Sequence, residues 1–351
     1  MAMLEIDGSR YSGSGTIVRQ AVMFSALTGR AVHIVKARVR RPKPGLRPQH
    51  VLVVEAIRQL VDGTVEGLTK GSQELIFRPG SVQAGRHYHW DIGSAGSTTM
   101  LGLALLPVLA FAPSPIQAEL RGGLFQDFAP SVFYLQHVML PLLVRMGLEA
   151  EVEMKRPGYV PQGGGILSLS VKPVLRGLRS LVLEEPGTVE RVWGIALASQ
   201  LEEARVSHRM AESAKEVLGG AGYRADFEVR YDTTAPQPGA ALAAFADLTG
   251  KARLGADRAG ARGRRSEAIG RFVAHHLLED LRTGATLDRF AADQIIPFAA
   301  LAEGASRFRI PSVTEHVETS AWLAKEFLGA EVRIEDHVLS VTGSGFRPPG
   351  R

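Results

Sequence analysis

Apolar residues recur at helical spacing in four windows of the chain, and each window precedes a glycine-rich turn and a short segment of alternating character. The windows are Thr16–Thr28, Gln49–Leu60, Ser97–Phe111 and Val132–Met146. Helical periodicity followed by period-two alternation is typical of helices that pack on strands. The pattern therefore predicts an α/β fold.

Three stretches close in a similar way, with an alternating strand, a turn that contains glycine and a second strand. They lie at 63–80, 147–174 and 327–345. A recurrence of this kind, in units of about 80 residues, indicates an internally repeated αβ module.

The segment from residue 178 to residue 265 breaks this rhythm. It contains a polar amphipathic helix, predicted over Gln200–Leu218, a strand over Tyr223–Tyr231 and a basic, glycine-rich tail. We therefore predict that 178–265 is an inserted small α/β domain and that 1–177 and 266–351 form the core.

Composition narrows the class of protein. The chain has 351 residues, 45% of them hydrophobic and 22% charged, as in folded globular proteins. It has no cysteine, which excludes disulfides, thiolate metal sites and a cysteine nucleophile. A net charge of +5 is a mild bias toward polyanionic partners.

The N-terminal residues and the most apolar stretch predict where in the cell the protein is located. The first residues, MAMLEIDGSR, lack the basic and apolar regions of a signal peptide, so we expect a cytoplasmic protein. The most apolar stretch, Met100–Ala112, is shorter than the roughly 20 residues that a membrane-spanning helix needs, and Pro107 interrupts it. It predicts a buried helix and no membrane partner.

Two glycine-rich loops precede apolar helices. The first is DGSRYSGSGTIVRQ (7–20), and the second is DIGSAGSTT (91–99), where Ser94, Ser97 or Thr98 is a candidate helix cap. Backbone amides at such a helix start can bind phosphate, but neither loop fits the P-loop or the dinucleotide fingerprint. Each loop alone leaves a structural turn and a phosphate cradle open.

A strongly basic segment, KARVRRPKPGLRPQH (36–50), lies between these loops. Its prolines exclude a helix, and on a strand Arg38 and Arg40 would share one face. A rigid basic segment near two glycine-rich loops favours phosphate recognition over a role in solubility.

Five of the histidines are weak candidates for a metal site or for catalysis. His87 and His89 lack a third metal ligand, His275 and His276 point apart on a helix, and His208 has no partner carboxylate nearby in sequence. We interpret all five as structural or surface residues.

His316 begins a predicted helix, for which Ser312 or Thr314 is a candidate cap. A helix N-terminus disfavours imidazolium and attracts phosphate, which suits attack on phosphorus. A structural role stays open for a lone histidine here.

Seven blocks together resemble the RNA 3′-terminal phosphate cyclase family, in the family's order and over nearly the whole chain. They are DGSRYSGSGTIVR, RPKPGLRPQH, GSQELIFRPG, IGSAGS, GYVPQGGG, DRFAADQ and EHVETSAWLAKEFL. The resemblance implies three βαβαββ units like the C-terminal domain of the third translation initiation factor, related to the enolpyruvyl transferase architecture, with a small α/β insert.

The resemblance also implies a reaction. A histidine, here His316, attacks the α-phosphate of ATP with help from a divalent cation, Mg²⁺ or Mn²⁺. AMP then passes to an RNA 3′-phosphate, and the neighbouring 2′-OH displaces it to leave a 2′,3′-cyclic phosphate. Lysine-dependent nucleotidyl transfer is not supported, because no K-x-D-G motif occurs.

By the same resemblance, particular residues acquire expected roles, while the metal ligands stay unknown. The expected ATP-binding residues are Phe290, Ala291, Ala292, Asp293, Gln294, Pro130 and Leu103. The expected ligands of RNA phosphates are Arg19, Arg38, Arg41, Lys43, Gln49 and His50.

The chain departs from the family pattern near the expected ATP site. Ser12 stands where a glutamate is usual, Thr16 and Leu103 where glutamines are usual, and Phe290 where a tyrosine is usual. Two other hypotheses therefore remain at this point: a non-catalytic cyclase-like protein that binds RNA ends or ribosomal RNA, and a relative of the enolpyruvyl transferases.

Overall fold

The computed structural model describes residues 3–84 and 87–348. The chain begins with a four-stranded sheet in the order β1-β2-β4-β3, in which β1 and β2 are parallel and the other pairs are antiparallel. Its elements along the chain are β1 (Leu4–Asp7), α1 (Gly15–Thr28), β2 (Val32–Val35), α2 (Pro48–Val61), β3 (Thr64–Glu66) and β4 (Leu75–Arg78).

A second sheet has the same connectivity, in the order β5-β6-β8-β7. Its strands are β5 (His87–Asp91), β6 (Ile116–Gly122), β7 (Glu149–Arg156) and β8 (Gly165–Lys172). Helix α3 (Thr98–Ala110) follows β5, and α4 (Val132–Tyr134) continues through a π-helical turn (Leu135–Met139) into α5 (Leu140–Arg145). The predicted helical window at 132–146 therefore contains a local change of helix type.

After the short strand β9 (Val182–Leu183), a separate sheet forms in the order β11-β10-β12-β13. Its elements are β10 (Val189–Ser199), α6 (Val206–Gly220), β11 (Ala225–Asp232), β12 (Gly239–Leu248), β13 (Arg253–Ala259) and α7 (Ser266–Arg282). One face of the sheet shares an apolar cluster with α6 and α7, and the other face packs on the main core. The predicted helix over Gln200–Leu218 begins later, at Val206, because Arg205 adopts a left-handed conformation with φ of 50°.

The remaining elements complete a third sheet around β9, in the order β9-β14-β16-β15. They are α8 (Ala291–Gln294), α9 (Ile296–Leu301), β14 (Ala305–Arg309), α10 (Glu315–Leu328), β15 (Glu331–Glu335) and β16 (Val338–Thr342). The first, second and third sheets thus share one strand order, and the mixed α/β class predicted from the sequence is confirmed.

Helix α3 lies at the centre of the main core. Nearly all of its residues are buried, including Pro107, which agrees with the buried helix predicted for this apolar stretch. In the part of the chain that the structure describes, no helix is both long and apolar enough to cross a membrane. Helix α1 packs against α2, α3 and α10. Its first turn meets that of α2, where Gly15 lies against His50, and that of α10, where Thr16 contacts His316.

Candidate active site

The first turns of α1 and α10 lie side by side and form the centre of the site. Ser14 caps α1 by accepting from the Thr16 backbone N–H, and Thr314 caps α10 by accepting from Val317. Of the two sequence candidates for the α10 cap, the structure selects Thr314. The backbone N–H groups of these first turns and the positive ends of both helix dipoles make this region suitable for a phosphate group.

His316 contacts α1 directly across this region. Its Nδ1 lies 3.2 Å from Oγ1 of Thr16, and Nη2 of Arg19 donates to the same hydroxyl oxygen at 3.1 Å. His316 is half-buried, whereas Thr16 is fully buried at 3% exposure. Thr16 stood out in the sequence only as a departure from a family pattern, and its contact with His316 was not predicted.

A set of hydroxyl and amide contacts joins the two helices around this pair. Oγ of Ser12 lies 2.9 Å from Oγ1 of Thr319, and Nε2 of Gln20 donates to Ser320 at 2.8 Å. Thr319 and Ser320 were not singled out in the sequence. Their small polar side chains on the helix that carries His316 were the available signal.

The electrostatic surroundings keep the His316 imidazole neutral. Burial lowers the pKa of His316 first, and the positive charges of Arg19 and Arg41 lower it further, against a smaller opposing effect of Glu315. A pKa below the ordinary value of 6.5 means that the uncharged ring predominates at neutral pH. The ring therefore has a lone pair available for attack on an electrophile.

Arg19 also faces a buried carboxyl group, that of Asp293. Burial raises the pKa of Asp293 to about 7, although Gln294 donates to it at 2.6 Å and Arg19 attracts it. Burial likewise lowers the pKa of Arg19 to about 10. The expected RNA ligand Arg19 and the expected ATP ligands Asp293 and Gln294 are therefore neighbours.

The basic segment folds as a series of turns over the loop that precedes α1. Lys36 and Arg38 have φ values of 52° and 58°, so the predicted extended conformation with Arg38 and Arg40 on one face of a strand is wrong. Arg41 donates to the Ser12 carbonyl at 3.0 Å, which places its guanidinium near His316. The physical reason is that backbone carbonyls of the loop before α1 and of the basic segment itself need hydrogen-bond donors, and Arg38 and Arg41 supply some of them.

Other expected RNA ligands differ in accessibility. Arg38 donates to the carbonyls of Lys43 and Gly45, so one side of its guanidinium holds the segment together. The Lys43 side chain is exposed. Gln49 packs against Gly96 of the second glycine-rich loop, where a Cβ would lie 3.1 Å from that of Gln49.

His50 is buried under α1, with 3% exposure. Its Nδ1 accepts from the Arg47 backbone N–H at 3.0 Å, and a Cβ on Gly15 would lie only 2.1 Å from its Nε2. Burial, and then the charges of Arg19, Arg38 and Arg47, lower the pKa of His50 to about 2. His50 therefore packs against the first turn of α1 as a neutral ring.

Asp288 precedes the expected ATP-binding run Phe290–Gln294, and the sequence assigned no role to it. This fully buried carboxylate accepts from the backbone N–H groups of Phe290, Ala291 and Gly255 at 2.9 to 3.0 Å, and from the Tyr134 hydroxyl at 2.5 Å. Burial raises the pKa of Asp288 to about 6. Asp288 thus anchors the short helix α8 to the second sheet's helices and to the insert.

Phe290 packs edge-on against Tyr134 and is partly exposed, whereas Ala291 and Ala292 are buried. Leu103 and Gln294 line one narrow cleft together with Arg19. Arg19 therefore connects two expected ATP ligands, Leu103 and Gln294, with the Thr16 hydroxyl that contacts His316.

The second glycine-rich loop caps α3 through Ser97, one of its three candidates. Thr99 in the first turn of α3 donates to the Pro130 carbonyl at 2.6 Å, which fixes the segment that carries Pro130. The next residue, Ser131, donates its backbone N–H to the buried carboxyl group of Asp257 at 2.6 Å.

The five histidines that the sequence predicted to be structural or surface residues lie outside this site. His87 and His89 project from the exposed face of β5, His275 is exposed, His276 stacks on Phe272, and His208 bonds to the Tyr231 hydroxyl at 2.9 Å. Within residues 3–84 and 87–348, no group of three or more histidine or acidic side chains could hold a metal ion.

Fold and site together define a mixed α/β protein in which a half-buried histidine and two arginines meet at the N-termini of two helices. The family described as RNA 3′-terminal phosphate cyclase matches residues 10–334, and the chain belongs to this family. Membership makes the chain an enzyme of the ligase class.

Curated relatives named RNA 3′-terminal phosphate cyclase agree over nearly their whole length. The chain is 39% identical to the protein of Hyperthermus butylicus, with 99% of both chains covered, and 39% identical to that of Methanopyrus kandleri, with 95% and 96% covered. The protein of Pyrococcus furiosus is 36% identical, with 96% of each chain covered.

Among solved structures, an enolpyruvyl transferase from Streptomyces tendae aligns with 99% of this chain and 50% of its own, at a TM-score of 0.42 and 10% identity. A likeness of this size supports no conclusion about function.

Proposed function

We propose that this enzyme uses ATP to convert RNA 3′-phosphate ends to 2′,3′-cyclic phosphates through a covalent intermediate between His316 and AMP. The observation that carries the proposal is the placement of His316. Thr16 engages Nδ1 of the imidazole, while Nε2 has no hydrogen-bond partner among the described residues. Nε2 is therefore the nitrogen that is free to attack.

In the first step, Nε2 of His316 forms a bond to the α-phosphorus of ATP as the bond to the bridging oxygen breaks, and pyrophosphate leaves. Negative charge grows on the phosphoryl oxygens during this step. The N-terminal amides of α1 and α10, with Arg19 and Arg41, lie where they can stabilise that charge. The lowered pKa of His316 keeps the ring unprotonated for this attack.

In the second step, an oxygen of the RNA 3′-phosphate attacks the phosphorus of the bound AMP, and His316 leaves as neutral imidazole. The 2′-OH then attacks the phosphorus of the 3′-phosphate, AMP departs, and the hydroxyl proton is released. The product is a 2′,3′-cyclic phosphate. Covalent catalysis of this kind divides a difficult displacement between easier steps.

The expected ATP ligands fit a nucleotide in this region. Phe290 offers a partly exposed aromatic face, Asp293 and Gln294 supply polar groups, and Leu103 and Pro130 supply apolar contacts. Ala291 and Ala292 are buried, so we assign them a backbone role in shaping α8. Mg²⁺ or Mn²⁺ would offset charge on the triphosphate, and we propose no protein ligands for it.

For the RNA, we propose Arg41, Lys43 and Arg19 as the principal phosphate ligands. The free side of the Arg38 guanidinium and the Gln49 amide complete the surface, and buried His50 supports it from below. We keep the cytoplasm as the proposed location.

We also propose that the three sheets with one strand order are copies of a βαβαββ unit resembling the initiation-factor domain. The boundaries predicted for the insert, 178–265, need a change at both ends. Strand β9 pairs with β14 of the third sheet, whereas α7, which begins at Ser266, shares the apolar cluster of the insert. We therefore propose that the insert runs from β10 to α7.

The proposal can be tested by incubating the purified enzyme with α-labelled ATP and Mg²⁺ or Mn²⁺, without RNA, and measuring label on the denatured protein. We expect an acid-labile, base-stable adduct in the wild type, none in His316→Ala, and a normal amount in His275→Ala, which removes an exposed histidine. If the wild type forms no adduct with any of the four nucleotides, the proposal is wrong, and the hypothesis of a cyclase-like protein that only binds RNA gains support.

A further inference from the structure

The contact between Thr16 and His316 joins residues that are 300 positions apart in the sequence. We infer that Thr16 is a positioning residue for the reaction: its hydroxyl oxygen accepts the Nδ1 proton of His316 and so directs Nε2 toward the α-phosphorus. The inference rests on the proposed function for its chemical consequence. Its geometric part concerns the free enzyme and can be measured separately.

The chemistry of the adduct requires such an acceptor. When Nε2 bonds to phosphorus, the lone pair of Nε2 enters the new bond, and Nδ1 must carry a proton. That N–H needs an acceptor in a half-buried site, because an unsatisfied donor there costs free energy. The Thr16 hydroxyl oxygen has two lone pairs, one for the N–H of Arg19 and one for Nδ1–H of His316.

Thr16 is held too firmly to follow a rotating ring. Its backbone N–H donates to Ser14 at 3.2 Å in the first turn of α1, and its side chain is 3% exposed. Around it, the contacts of Ser12 with Thr319 and of Gln20 with Ser320 join α1 to the helix that carries His316. The orientation of the imidazole is therefore set by two helices fixed to each other.

Among the residues that the structure describes, Thr16 is the hydrogen-bond partner of the His316 ring. No other acceptor competes for Nδ1 there. Arg19 and Arg41 act on His316 through charge, and both are donors. Glu315 precedes His316 and is exposed. Removing the Thr16 hydroxyl therefore leaves the ring free to rotate and leaves Nδ1–H without an acceptor.

The experiment compares Thr16→Val, which has nearly the same shape but no hydroxyl, with Thr16→Ser, which keeps the hydroxyl. Thr28→Val is the matched control, because Thr28 lies at the other end of α1 and bonds only to the Phe24 carbonyl. Single-turnover formation of the labelled adduct gives the rate and the ATP dependence of each protein. Nitrogen-15 NMR of histidine-labelled protein, assigned through His316→Ala, reports the tautomer of His316 without any reaction.

We expect adduct formation in Thr16→Val to be about 10- to 100-fold slower at saturating ATP, as for loss of one buried hydrogen bond, with the ATP concentration for half-maximal rate little changed. Thr16→Ser should recover most of the rate, and Thr28→Val should match the wild type. In the NMR spectrum, His316 should be the Nδ1–H tautomer in the wild type and a mixture in Thr16→Val.

Two results would overturn the inference: an equal rate in Thr16→Val and wild type, or no difference between their His316 spectra. If Thr16→Ser were as slow as Thr16→Val, the methyl group and not the hydroxyl would matter, which would also overturn it. A wild type that forms no adduct would refute the proposed function, and the NMR comparison would still decide whether Thr16 sets the tautomer.

Discussion

Ionisation of Asp293 should cost the folded protein stability, and replacing Asp293 with asparagine should remove that cost. Burial raises the pKa of Asp293 to about 7 from the ordinary 3.8, despite the opposing effects of Gln294 and Arg19. An acid with a higher pKa in the folded state binds its proton more tightly there. Stability is therefore lost as the pH rises from about 4 to about 7.

The magnitude follows from the two pKa values. At about 1.4 kcal/mol for each tenfold change in the protonation equilibrium, the raised pKa of Asp293 lowers the free energy of unfolding, relative to low pH, by about 2 kcal/mol at pH 5 and about 4 kcal/mol at pH 8. Asp293→Asn stays neutral at every pH and has nearly the same shape. Its free energy of unfolding, relative to wild type, should thus increase by about 2 to 3 kcal/mol between pH 5 and pH 8.

Urea denaturation followed by circular dichroism at several pH values between 5 and 8 measures this difference. Other titrating groups, His50 and His316 among them, contribute equally to both proteins and cancel in the comparison. Asp226→Asn is the matched control, because Asp226 is exposed on β11 and its replacement should give a difference that changes little with pH. A difference between Asp293→Asn and wild type that stays constant from pH 5 to pH 8 would refute the reasoning.

Two further substitutions test other parts of the site. Gly15→Ala should lower the free energy of unfolding by about 1 to 3 kcal/mol in urea denaturation, because the added Cβ would lie 2.1 Å from Nε2 of buried His50. The control Gly219→Ala, in α6 with open space around it, should retain or gain stability, and equal behaviour of the two variants would contradict the packing argument. Arg41→Ala should weaken binding of an RNA oligonucleotide with a 3′-phosphate and reduce the salt dependence by about one phosphate contact, as measured by fluorescence anisotropy. Arg224→Ala, which removes an exposed arginine of the insert, should leave both unchanged, and an unaltered salt slope in Arg41→Ala would argue against its role.

Helices and their caps could be predicted from the sequence, because the interactions that stabilise them act between residues a few positions apart. Ser97 and Thr314 were among the candidate helix caps, and both cap the helices they precede. The windows of helical periodicity became helices within a few residues of their predicted bounds, as for α2 at Pro48–Val61. Caps and apolar periodicity act between neighbours along the chain, so no tertiary contact is needed to predict them.

The basic segment shows where local reasoning failed. No helix forms over 36–47, as the prolines indicated, but α2 begins at Pro48 inside the segment. Lys36 and Arg38 adopt left-handed conformations, and Arg38 donates to carbonyls of its own segment. His50 was expected at the RNA surface and lies buried instead. Burial and carbonyl partners depend on what packs above the segment, which the segment's own residues do not specify.

The sequence by itself determined the α/β class, the helices with their caps, and the family, whose motifs single out His316. Only the tertiary structure decided that Thr16 meets the His316 ring, that Asp293 faces Arg19, and that Asp288 anchors α8. These partners come from distant segments and meet because α1 packs against α3 and α10, and α10 packs against α8, within one apolar core. Which polar atoms then lie within hydrogen-bond distance is a result of that packing, and no pattern along the chain encodes it locally.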